Sequence, residues 1–215
     1  MSNEADGSAP EYSSWKWNEG DWQRYLLITD TQIRNFSELY QIHTEDPRRL
    51  DKIAERMGWT TESWQSGEVD EETQAALPPE DLPYTMHLHP VYTVTRALFR
   101  SLYDLALSYA KLNPQNTVLQ LAINTTLHEA ETQALLGLES QDMGDMALTV
   151  CHFKRSLTQI NHALKLLNRM EDEKMAGAEL FAREVKKRLF DLREIWLRVN
   201  SEMREEIQRR DNGAE

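Results

Sequence analysis

A chain of 215 residues in which 40% of side chains are hydrophobic is long enough for one domain with a buried core, and it carries a formal charge of −12. The charge is uneven: residues 1–90 hold 18 acidic and 7 basic side chains, residues 91–215 hold 18 and 17. An acidic surface repels phosphate backbones, which argues against general nucleic-acid or anionic-membrane binding through the N-terminal part.

Residues 1–14 (MSNEADGSAPEYSS) are small, polar and acidic, the composition of a disordered tail. Met1 to Pro10 include no apolar stretch of the secretory type, so no signal peptide is expected. A Trp-rich helical appendage then spans 15–65. Trp15, Trp17 and Trp22 either staple this segment to the main domain or form a partner-binding patch, and the staple is preferred because large aromatics are usually buried. Asp21 is placed as the N-cap of a helix running to about Thr44, with Leu26, Ile33, Phe36 and Tyr40 on its inner side. Asp46-Pro47 starts a second helix with Leu50, Ile53, Ala54 and Met57 on one face, stopped by Gly58. The stretch IAERMGWTTESW resembles the helix-turn-helix pattern, with Ala54 and Gly58 at the spacing of the small residue and the turn glycine and Trp64 as the anchor of the second helix. The resemblance implies a recognition segment at Thr60 to Gln65. That segment and the residues after it (TTESWQSGEVDEE) have no Lys or Arg to meet phosphates, so no DNA partner is expected.

Residues 66–90 hold four of the seven prolines and a dense run of acids, and are expected to form a linker with at most one short helix around Glu71 to Leu77. Beyond it the pattern becomes regular. The first long helix, about 91–112, places Val91, Val94, Leu98, Leu102, Leu105, Tyr109 and Leu112 at three/four spacing and ends at Asn113-Pro114. The second, about 115–139, turns Leu119, Ile123, Leu127, Ala130, Ala134 and Leu138 inward, with small Ala130 and Ala134 allowing a neighbour to approach. The third, about 142–171, has the most regular seam: Met146, Val150, Phe153, Leu157, Ile160, Leu164 and Leu167 alternate steps of four and three. The fourth, about 174–210, carries Phe181, Val185, Leu189, Leu192, Trp196, Val199, Met203 and Ile207. Its charged end is expected to project into solvent or to support self-association. The fold expected is all-α, an up-and-down four-helix bundle over about 91–210 with the N-terminal helices as an appendage.

The chemistry-bearing motifs are few. There is no Walker sequence, GxGxxG or GxSxG, and no cofactor is implied. Cys151 lies beside His152, but adjacent helical residues diverge by about 100°, so they do not form a nucleophile–base pair. The lone cysteine cannot form an internal disulfide and fits a cytoplasmic location. No apolar run reaches the roughly 18 residues that span a bilayer, so no membrane partner is expected. No Glu-x-x-His pair of the di-iron type occurs, and the side chains of His128-Glu129-x-Glu131 spread around their helix. His87-x-His89 offers two metal ligands in an extended segment without a recognisable third, and a loop role ahead of Pro90 is preferred.

Arg155 and His162, seven residues apart, lie on one helix face with Lys154, Lys165 and Arg169 nearby. An Arg, a short gap and a His on a helical bundle resembles the pattern of the HEPN ribonucleases, although Ser156 stands where that family places Asn, Asp or His. The resemblance implies a symmetric dimer in which His162 acts as acid or base and Arg155 stabilises charge at an RNA phosphate. With 16 Arg and 6 His in the chain, about one such pair arises by chance, and an ordinary solvated face is preferred. The leading functional expectation is therefore a non-catalytic bundle acting through protein–protein interaction, with a protein partner or self-association. The alternatives are the HEPN-like ribonuclease or an inactive relative, with RNA as partner, and a metal- or ligand-binding bundle.

Overall fold

The computed structural model describes residues 17–59 and 86–213. Among these residues there are six α-helices and no β-strand: α1 Glu19–His43, α2 Arg49–Arg56, α3 Pro90–Leu112, α4 Thr117–Asp142, α5 Met146–Asp172 and α6 Ala178–Gly213. Single 3-10 turns at Met86–Leu88 and Pro114–Asn116 precede α3 and α4. The chain is all-α, as the periodicity implies. The expected tail over 1–14, Trp15, and the stretch from Thr60 to Thr85, with Trp64, lie outside the described residues.

Local chemistry sets the helix ends. Asn18, not Asp21, caps α1: its Oδ1 accepts from the backbone N–H of Gly20 at 2.8 Å and of Asp21 at 3.2 Å. Asp21 sits at the third helical position and accepts from the Asn18 N–H at 3.0 Å, completing a capping box. The carboxylate read as the cap is thus its reciprocal half. Leu26, expected to face inward, is 45% exposed, and Tyr25, Thr29, Ile33, Phe36 and Tyr40 form the buried stripe instead. His89 caps α3, its Nδ1 accepting from the Val91 N–H at 3.1 Å, with Pro90 at the first helical position where no N–H is missed. Gly144, at φ +82°, makes the left-handed turn between α4 and α5 that other residues rarely adopt.

Helix α3 is the centre of the molecule. It packs against α1, α4 and α6, while α4 pairs with α5 and α5 with α6, so α3 to α6 close a four-helix ring and α1 covers the outer side of α3. This explains why the first half of α3 has so little outward surface: Thr93, Val94, Thr95, Ala97, Leu98 and Phe99 are all buried. Trp196 of α6 fills the middle of the ring, with ring centroids 6.0 Å from Phe99 and 6.0 Å from Phe153 and its Nε1 donating to Thr95 Oγ1 at 3.3 Å. The charged end of α6 stays against the bundle as far as Arg210, whose Nη1 meets the Gly144 carbonyl at 3.5 Å.

The seam of α5 is rotated from its expected position. The buried residues are Thr149, Val150, Phe153, Ser156, Ile160, Ala163, Leu167 and Met170; Val150, Phe153, Ile160 and Leu167 keep their expected places, and from Thr149 through Phe153 to Met170 the stripe again runs in steps of four and three. Leu157 and Leu164, expected at the seam, are only half-buried, and Ser156 and Ala163 take the centre. The cause is the close approach of α4. Ala130, Ala134 and Gly137 face α5 with almost no side chain, and Ser156 Oγ donates to the Ala130 carbonyl at 2.5 Å. Small residues therefore mark a close helix contact, and the larger leucines move to its edge.

Candidate functional site

Three helices converge on a cleft of about 330 Å³ lined by Asp30 and Ile33 of α1, Tyr92, Arg96, Arg100, Tyr103 and Asp104 of α3, and Glu131 of α4. Glu131 is the unusual member, an acid only 6% exposed at a core-facing position. Arg96 balances its charge, with Nη1 donating to Oε1 at 2.5 Å, and the Tyr103 hydroxyl donates to Oε2 at 2.8 Å. A buried carboxylate without such partners would be strongly unfavourable, so the trio behaves as one unit. Burial first, and then the bond to Glu131, push the Tyr103 phenol well above its ordinary range. Tyr92 is raised by burial too, with Arg96 opposing the shift. Glu131 thus orients the Arg96 guanidinium, itself exposed, and the half-buried Tyr103 phenol, and Arg100, Asp30 and Asp104 are exposed around them. Such a cleft can bind and orient a polar group.

Sequence reasoning passed over this site, treating Glu131 only as part of a dispersed His-Glu-x-Glu cluster. One signal was available. Glu131 follows Leu127 by four residues and precedes Ala134 by three, which puts an acid on the apolar stripe of α4.

A second buried polar cluster fastens α1 and α2 to α6. Asp191, 4% exposed, accepts from Arg49 Nε at 2.8 Å, from Arg49 Nη2 at 2.6 Å and from the Tyr40 hydroxyl at 2.5 Å. Arg188 stacks over the Tyr40 ring at 5.5 Å and donates through Nε to Ser101 at 2.8 Å. Burial, then the Asp191 charge, raise the Tyr40 phenol above its ordinary range.

The residues singled out from sequence fall in three places. Trp17 and Trp22 are half-buried and close edge-on to each other at 4.8 Å, both against Tyr25, which in turn meets His87 at 5.7 Å. His87 also meets Tyr92 at 4.8 Å, so these aromatics join the start of α1 to the start of α3. His89 and Met86 line a smaller cleft of about 230 Å³ with Leu138, Gln141 and Asp142. His87 and His89 thus diverge, one into the aromatic group and one into the helix cap. Burial lowers both imidazoles, His89 to about 4. Among the described residues no three His, Cys, Asp or Glu side chains come together as a metal site.

Arg155 and His162 share the exposed face of α5 with Lys154, Lys165 and Arg169, and neither lines the Arg96–Glu131 cleft. Cys151 is exposed on the same helix, whereas His152 turns to α4 and meets Gln133 Oε1 at 2.9 Å, which separates the thiol from the imidazole. Ala54 is buried in α2 and Gly58 has φ +70°, the stop expected there. No helix among the described residues is long and apolar enough to cross a membrane. No protein-family model, no curated protein and no solved structure matches this chain.

Proposed function

We propose that this chain is a non-catalytic helical-bundle protein that works through protein–protein interaction. The observation that carries this reading is that the buried ionisable groups beside the cleft and at the α1–α6 junction are paired with one another: Glu131 with Arg96 and Tyr103, Asp191 with Arg49 and Tyr40. A general acid or base must be free to exchange its proton with a substrate at working pH. Carboxylates already holding a guanidinium and a phenol, and phenols raised by burial, are poorly suited to that task. They are well suited to holding a rigid surface.

The test combines the mass of the full-length protein in solution, identification of proteins that copurify, and incubation with RNA. The expected result is a stoichiometric complex, with another protein or with a second copy, and intact RNA. Cleavage of RNA by the purified protein, lost in a folded His162→Ala variant, would overturn the reading in favour of a metal-independent ribonuclease. That second reading is supported by Arg155 and His162 being exposed on a helix with no acid before Glu171. It requires a dimer with both His162 side chains in one cleft, so a monomeric protein ends it.

A further inference from the structure

Helix α5 has no acidic residue from Met146 to Met170, in a chain with 36 acidic side chains against 24 basic ones. Lys154 and Lys165 are exposed on its outer face, within about 20° of each other around the helix. The adjoining flank of α6 continues the pattern with exposed Arg193 and Arg204, separated by the same eleven residues. Among the described residues none of these four cations is paired with a carboxylate. Of the nearby acids, Glu171 is engaged by Lys186 and Glu194 by Arg198, whereas Glu205, next to Arg204 in the chain, accepts from the Ser201 hydroxyl at 3.4 Å. On the same flank Phe190 and Leu197, two turns apart, are 51% and 49% exposed. The ion pairs of α6 identify this as its α5 side. Lys186 reaches α5, whereas Lys187, Asp191 and Arg198 on the other side engage Glu45, Arg49 and Asp51.

We infer that the α5–α6 face docks an acidic amphipathic helix of a partner protein, an inference that rests on the interaction reading above. Two half-exposed apolar side chains at seven-residue spacing match the i, i+3/i+4, i+7 anchors of a helix laid along a helical surface. The four unpaired cations around them select carboxylates. A nucleic acid carries a charge on every nucleotide and gains affinity only by engaging many cations, whereas four cations suit a short acidic segment.

The test selects helical peptides of about 20 residues, roughly 30 Å of helix, from a random display library on the full-length protein. Enriched peptides are then titrated by fluorescence anisotropy against the wild type, Phe190→Ala, the double variant Lys165→Glu/Arg193→Glu, and Lys111→Ala at the exposed end of α3 as a control. The expected peptides are amphipathic and rich in Asp and Glu. Their affinity should fall about tenfold or more with Phe190→Ala and with the double variant, and stay unchanged with Lys111→Ala. The altered side chains are exposed, so these variants keep the fold. Neutral or basic enriched peptides, undiminished binding to the double variant, no enrichment, or tighter binding of a single-stranded oligonucleotide of equal charge would each overturn the inference. Peptides that bind elsewhere on the bundle would refute this face while leaving the interaction reading in place. RNA cleavage lost in His162→Ala would refute that reading too.

Discussion

Replacing Gly137 by alanine sets two opposing effects against each other at a close contact between α4 and α5. In a helix interior alanine is favoured over glycine by about 1 kcal/mol. A Cβ at position 137, however, would stand 3.0 Å from both Cδ2 and Cε2 of Phe153 and 3.4 Å from His152 Cβ. Phe153 is 0% exposed and lies against Trp196, itself 0% exposed, so the ring has little room to withdraw. Overpacking of this kind costs about 1–3 kcal/mol. The clash outweighs the propensity gain, and Gly137→Ala is expected to lower stability by about 1 kcal/mol, a fall of roughly 2–4 °C in Tm for a chain of this size. Urea unfolding followed by circular dichroism measures it, together with Phe153→Leu and the double variant. In the Phe153→Leu background the obstruction is gone, so alanine should become neutral or stabilising, with a coupling of about 1–2 kcal/mol between the two sites. A Gly137→Ala protein more stable than wild type by the full propensity gain, or a cycle without coupling, would refute the close-packing account of α4 against α5.

Two further outcomes follow from the buried polar groups. Asp191→Ala leaves the Arg49 guanidinium, only 16% exposed, without its carboxylate, and should cost about 3–5 kcal/mol, whereas Tyr40→Phe should cost about 1 kcal/mol. Hydrogen exchange should show α1 and α2 losing protection before α5, and equal costs for the two variants would contradict the central role of Asp191. His89 is held neutral by burial, with its folded pKa at about 4 against 6.5 for the free side chain. Between those values the unfolded chain binds more protons, so stability falls as pH drops from 6.5 toward 4. His89→Asn keeps a capping acceptor but cannot titrate, and its unfolding midpoint should depend less on pH in that window. Identical slopes for His89→Asn and wild type would remove His89 as the cause, while His87, lowered in the same direction, leaves a residual slope in both.

The helices were legible because amphipathic periodicity is a property of neighbouring residues. The three/four spacing of Phe181, Val185, Leu189, Leu192 and Trp196, the start at Pro90 and the stops at Asn113-Pro114 and Gly58 all act within a turn or two of chain, and all appear in the structure. Rotation of a helix about its axis is not local. Met146 to Leu167 present an unbroken large-residue seam, yet α5 turns Ser156 and Ala163 to the centre because α4 offers Ala130, Ala134 and Gly137 there. Charges were still less legible. Asp191 looks like an ordinary helix-surface acid, and the place of Glu131 on the apolar stripe of α4 names no partner, until Arg49, 142 residues from one, and Arg96, 35 from the other, are brought beside them. Residue spacing along the chain determined which segments are helical and which sides are broadly apolar. Only the tertiary packing decided which acids are buried, which cations are left without partners, and therefore which surface is open to a partner.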